Sequence, residues 1–198
     1  MSFDDGQGQT GEDAKANGGI SLFRHDDRMD VATGDATAAY GGALTEAHRT
    51  LVYLRERDLV LVLDRLRSDT PRRWEWNIHT PTAMVTYAEN AIGTANGQAQ
   101  LCVEQIAGTP TSTRVSDLFP VAPYRRGKLR PEQWHATFEA REPSTEGRFL
   151  FALRLNCAPS GISSAVIDES GRARIEIGQA RLAIAFDGAT LSRESARR

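Results

Sequence analysis

Asn77 and His79 come first, because an amide and an imidazole two residues apart in an alternating segment project side by side. Such a pair can hold the carboxylate of a sugar acid, or pass a proton near neutral pH, where histidine titrates. Their segment, Arg73 to Thr80 (RWEWNIHT), alternates cleanly: Trp74, Trp76 and Ile78 face one way, Glu75, Asn77 and His79 the other. No catalytic residue is assignable outright. His79 is the candidate, weighed against the plainer reading of a solvent-facing histidine at a strand end. Trp74 and Trp76 lie on the apolar side, where tryptophans are core more often than sugar-stacking platforms. Trp134 sits beside His135, so one of the two must face outward. Tyr40 ends DATAAY just before Gly41-Gly42 and can present its hydroxyl at a sheet edge, or simply pack. Asn77, His79, Tyr40 and Trp134 are the candidate substrate-binding residues.

Other polar groups read as structural. Asp64 and Arg65 follow the run LVLVL and are expected to close that strand with a local ion pair. His48 and Arg49, with Tyr53 nearby, are adjacent on one strand and point to opposite faces, so they share no site without a bulge. The four histidines, His25, His48, His79 and His135, are scattered, so a metal site arises only through folding, and none is expected. There is no Gly-rich phosphate loop, HExxH, nucleophile elbow or EF-hand loop, and no cofactor is implied.

The elements that must position these residues are short and strand-like. Ile20 to Arg24, Met29 to Thr33, Ala36 to Tyr40, Ala47 to Leu54 and Leu59 to Leu66 precede the tryptophan strand. Met84 to Tyr87 and Ala91 to Thr94 follow it. Asn96-Gly97 is the strongest hairpin signal, with Gln98 to Ile106 returning. Residues 107–131 hold four of the eight prolines and are expected to be a long surface loop. Gln133 to Arg141, Arg148 to Asn156, Ala165 to Asp168, Arg172 to Ile177 and Ala180 to Phe186 complete the series. About a dozen strands, with no convincing amphipathic helix to serve as a crossover, imply an antiparallel two-sheet β-sandwich. The sequence therefore predicts one all-β domain over residues 19–191. It has a polar, partly disordered lead-in at 1–18 and a polar tail at 192–198.

Composition agrees and excludes other classes. The chain has 198 residues, 40% hydrophobic and 25% charged, with a formal net charge of −2. That balance disfavours a disordered tail or a polybasic nucleic-acid binder. No apolar run approaches a membrane span, and the start, Ser2-Phe3-Asp4-Asp5-Gly6, is acidic where a signal peptide is basic and apolar. Of 24 basic residues only Lys15 and Lys128 are lysines. Arginine forks suit acidic ligands, although a coding bias is the plainer explanation. Cys102 and Cys157 read as small buried residues, with a bridge between them left open.

The order of segments carries a resemblance. Ile20-Ser21-Leu22-Phe23, Gly34 to Tyr40, Arg49 to Leu54, Leu59 to Leu66, and Trp76-Asn77-Ile78-His79-Thr80 together resemble the C-terminal β-sandwich domain of heparinase II/III-like polysaccharide lyases. The match runs over roughly residues 3–80. Phe3 to Gln9 resembles the segment that follows that family's His-Asn strand, so the chain begins after the family's histidine motifs. The resemblance implies an enzyme with an (α/α) toroid of helices ahead of the sandwich and substrate in the cleft between them. Such enzymes cleave uronic-acid polysaccharides by β-elimination. A tyrosine or histidine takes the proton α to the carboxylate, and Asn, His or Arg groups neutralise the developing charge. It further implies a periplasmic or secreted location. This chain has no helical region for a toroid, so it is expected to be inactive without one. Its partners would be acidic polysaccharide and a helical toroid domain or chain, with self-association through any face left bare and no nucleic acid or membrane. The alternative is a non-catalytic carbohydrate-binding module using Trp134, Tyr124 or Tyr40 with nearby arginines.

Overall fold

In the computed structural model, which describes residues 1–11, 15–117, 124–125, 128–129 and 133–193, nearly every element is a strand. In chain order they are β1 (Ser2–Phe3), β2 (Gly19–His25), β3 (Met29–Asp35), β4 (Glu46–Leu54), β5 (Leu59–Arg72) and β6 (Trp74–Thr80). The middle of the chain gives β7 (Met84–Ala88), β8 (Ala91–Asn96), β9 (Ala99–Gly108), β10 (Thr111–Ser116), β11 (Tyr124–Arg125) and β12 (Lys128–Leu129). The rest are β13 (Trp134–Ala140), β14 (Ser144–Leu155), β15 (Ile162–Ile167), β16 (Ala173–Ile177), β17 (Ala180–Ala185) and β18 (Gly188–Arg193). All pairings are antiparallel.

The sandwich has a broad central sheet, ordered β2-β3-β4-β5-β14-β9-β8-β7. One face packs on a four-stranded sheet, β1-β6-β13-β10, and the other on a second, β15-β16-β17-β18. This explains the run Leu59 to Leu63. A strand covered on both sides needs no polar alternation: Leu59, Leu61 and Leu63 enter one core while Val60 and Val62 enter the other. Alternation returns in β6, where Trp74 and Trp76 are buried. The Trp76 ring stacks on Phe151 at 3.9 Å, and Phe138 meets both edge-on. Both indole N–H groups find acceptors, Trp74 at the Ser144 hydroxyl (3.1 Å) and Trp76 at Asp64 (2.9 Å). Gly147 lies so close to the Trp74 ring that an added Cβ would come within 2.7 Å of it.

Several sequence expectations are corrected. Ala36 to Tyr40 is not a strand: Thr37–Tyr40 is a 3₁₀ turn, entered through the Asp35 carboxylate accepting the Thr37 N–H at 2.8 Å. Within the expected loop at 107–131, Thr111–Ser116 forms β10, an edge strand whose polar residues hide its alternation. The rest of that loop lies largely outside the described residues. Ser2 and Phe3 pair with Glu75 and Trp74, and Phe3 is buried, so the chain's first residues belong to the sheet. β5 does not close at Asp64-Arg65 but runs to Arg72, and the two residues do not pair. Neighbours on a strand point apart: Asp64 meets Arg49 across β4, while Arg65 meets Glu46 and Glu146. Beyond Phe186, where the sequence reading names no further strand, Gly188–Arg193 forms one that reaches two residues into the expected tail at 192–198. The hairpin at Asn96-Gly97 forms with Asn96 opposite Ala99 and Gly97 at φ 61°. Cys102 and Cys157 are bridged.

Candidate functional site

The outer side of the β1-β6-β13-β10 sheet is polar in register, with Glu75 and Thr137 buried on it and Arg114 and His79 exposed. Cross-strand partners share a face, so the pairings lay out three rows. Ser112, Glu139, Glu75 and Ser2 form the first, Arg114, Thr137 and Asn77 the second, and Ser116, His135 and His79 the third. The inner face of the same strands carries Trp74, Trp76, Ala136 and Phe138, all buried. Burial of that apolar face fixes the register, and the register in turn lines up the polar groups.

A hydrogen-bonded chain crosses the rows. The Ser2 hydroxyl donates to the Glu75 carboxylate, which also accepts the Gly6 N–H at 3.1 Å. Ser2 Oγ in turn accepts from the Asn77 amide at 2.6 Å. Asn77 Oδ1 faces His135 Nε2 at 2.8 Å and accepts the Thr137 hydroxyl at 3.0 Å. The His135 ring lies nearly parallel to His79, 12° between planes and 4.4 Å between centres. Burial first, then the neighbouring His79 and Arg114, push the His135 pKa down to about 4, so its imidazole is neutral at pH 7.

The shift has a stability consequence. The unfolded chain takes the proton near pH 6.5, well before the folded one, so acidification favours unfolding across that window. Stability is therefore lost as pH falls from about 6.5 to about 4 and levels below it. For this half-exposed ring, solvent screening reduces the loss to about 1–2 kcal/mol. Urea unfolding of His135→Gln should show a correspondingly flatter profile from pH 7 to pH 4.5. Identical profiles for variant and wild type would exclude His135 as the cause.

Of the residues singled out in the sequence, Asn77 and His79 come together on this strip. Trp134 turns to the inner face and packs partly against the core, leaving its neighbour His135 outward. Tyr40 is buried beside Phe3, its hydroxyl donating to the Met1 carbonyl at 3.0 Å, and burial pushes its phenol above the usual range. Tyr124 has its side chain outside the described residues. His135, Thr137 and Arg114 complete the strip; only the His135 position relative to Trp134 hinted at them. His48 and Arg49 do face apart. His48 lies between Asp35 (3.4 Å) and Glu46 (3.0 Å), and Arg49 grips Asp64. Among the described residues no three His, Cys, Asp or Glu side chains converge on a metal position.

No family model matches the chain, and no curated protein matches it in sequence. Solved structures match it in fold. The heparan sulfate lyase HepC from Pedobacter heparinus superposes with a TM-score of 0.56 at 12% identity, over 89% of this chain and 27% of its own. A heparinase III gene product gives a TM-score of 0.62 at 10% identity over the same shares. Another heparinase III gives 0.58 at 12% identity, over 84% of this chain and 27% of its own. The fold is shared with heparinase III structures. The chain spans about a quarter of the length of those heparinase III chains, so the likeness is to part of them. No helix among the described residues is long and apolar enough to cross a membrane.

Proposed function

We propose that this chain is the β-sandwich module of a heparinase II/III-like polysaccharide lyase, acting on uronic-acid glycans by β-elimination together with a helical toroid. The observation that carries this reading is the fold match, which takes in 84–89% of this chain yet only 27% of each heparinase III chain. The module's contribution is the strip of Asn77, His79, His135 and Arg114, where the exposed His79 imidazole and Arg114 guanidinium suit a uronate carboxylate and His135 stacks beside His79. Removing the proton α to a carboxylate demands stabilisation of the charge that develops there. The Arg114 guanidinium supplies part of it, while most of the acid–base groups come from the toroid.

A second observation favours a missing layer. On the central sheet, β2 to β4 keep apolar side chains bare on the face that packs against Trp76 farther along. Ile20 is 77% exposed, Phe23 65% and Leu51 40%. Uncovered apolar surface of this kind favours a covering partner, and without one it favours self-association measurable by sedimentation. The Cys102–Cys157 bridge fits an oxidising, periplasmic or secreted setting.

The test is ultraviolet absorbance of the unsaturated uronate during incubation with heparan sulfate, alginate and hyaluronan. The chain alone should give no product. Adding a heparinase-type helical domain should give product, reduced at least about tenfold by His79→Ala. Product from the chain alone would overturn the reading in favour of a self-contained lyase. Retention on these polymers with no product in either mixture would overturn it in favour of a binding module.

A further inference from the structure

Folding gathers what the sequence scatters. His135 and His79 are direct cross-strand partners on the exposed polar face. The hydrogen bonds around them fix the His135 tautomer. Ser2 Oγ commits its proton to Glu75 and accepts from the Asn77 amide, so Asn77 turns its oxygen toward His135 Nε2. A neutral His135 therefore carries its proton on Nε2 and keeps the lone pair on Nδ1. His79 is exposed, and neither of its ring nitrogens is hydrogen-bonded among the described residues.

We propose that His79 and His135 form a two-imidazole site for a borderline divalent transition ion of the Ni²⁺, Cu²⁺ and Zn²⁺ group, with water completing the coordination. Imidazole is a preferred ligand of these ions. Directly opposed strand residues place their Cβ atoms about 5 Å apart. Metal–nitrogen bonds of about 2.0–2.1 Å set two ligating nitrogens about 3.3 Å apart in a tetrahedral complex. The rings are stacked, 12° between planes and 4.4 Å between centres, so sharing an ion requires the exposed His79 ring to leave the stack and turn a nitrogen into the plane of His135, which keeps its bond to Asn77. The bond from His135 Nε2–H to Asn77 Oδ1 is the kind of outer contact that orients a metal-bound imidazole and raises its basicity. His48 makes the contrast: its two nitrogens face different carboxylates, Asp35 and Glu46, and share no point with a second imidazole.

This site stands independently of the lyase reading. Calorimetric titration of the tag-free full chain with Ni²⁺ at pH 7.5 should show one ion bound per chain. His79→Gln, at an exposed position, should weaken binding at least about tenfold, as should His135→Gln, while His48→Gln should leave it unchanged. In the wild type, the imidazole NMR signals of His79 and His135 should respond together to diamagnetic Zn²⁺. Absence of saturable binding would overturn the proposal, as would His79→Gln binding as tightly as wild type.

Discussion

Asp64→Ala should lower folding stability by about 3–5 kcal/mol, seen as a fall in the urea midpoint at pH 7. Asp64 is 1% exposed and lies where the central sheet meets β6. Three donors converge on it: Arg49 Nε at 2.7 Å, Arg49 Nη2 at 3.0 Å and Trp76 Nε1 at 2.9 Å. Burial works against the Arg49 charge, but Asp64 outweighs it and holds the guanidinium above its ordinary pKa. Truncating Asp64 leaves a partly buried cation without its counter-ion and a buried indole N–H without an acceptor, costing about 1–3 kcal/mol for the latter alone. Because the Arg49 side chain is 40% exposed, it recovers some hydration. That places the Asp64 loss toward the lower end of the range. Asp64→Asn keeps an acceptor for Trp76 and should lose less. The double variant Arg49→Met with Asp64→Leu should lose less than the sum of its single changes, since matched apolar replacement removes the desolvation cost of both charges. An Asp64→Ala midpoint within 1 kcal/mol of wild type would refute the role assigned to this pair.

That pair also marks where sequence reading stops. The run ending at Asp64 is legible as a buried strand because every apolar residue in it meets a core. The partner of Asp64 is not legible, since Arg65 is nearer in sequence while Arg49 is nearer in space. Likewise the alternation of Arg73 to Thr80 announces a strand with Asn77 and His79 outward, and the fold places them so. The partnership of His79 with His135 depends on the register of β6 against β13, which is set by Trp76, Phe138 and Ala136 packing on the far side. β10 (TSTRVS) is missed for a related reason. An edge strand with polar groups on both faces carries little periodicity, although Thr111, Thr113 and Val115 are β-branched. The fold shared with heparinase III structures is legible in the order of segments, but the candidate site is only half legible, because its second histidine is brought in by strand register.

Replacing both Cys102 and Cys157 by serine should remove about 4 kcal/mol at 25 °C, the loop-closure entropy of a 55-residue separation. The folded state has little reason to change. Arg154 is already paired with Cys102 between β14 and β9, and the Asn156 N–H bonds the Gln100 carbonyl at 2.8 Å, so the bridged segments stay adjacent without the bond. The loss therefore belongs to the unfolded chain, which gains freedom when the cross-link is cut. The same reduction in stability should follow from dithiothreitol, with native-like dichroism retained below the new midpoint. A local term opposes part of it. Asn156 and Cys157 hold φ of 54° and 53°, a left-handed region that side chains with a Cβ occupy at a cost of about 1–2 kcal/mol. Asparagine tolerates it better than cysteine does. The Cys102→Ser/Cys157→Gly variant should consequently be more stable than Cys102→Ser/Cys157→Ser, because glycine relieves the strain while both lack the cross-link. Equal midpoints for the two variants would show that residue 157 carries no backbone strain once the bridge is gone. A dithiothreitol-insensitive wild type would show that no bridge stabilises the fold.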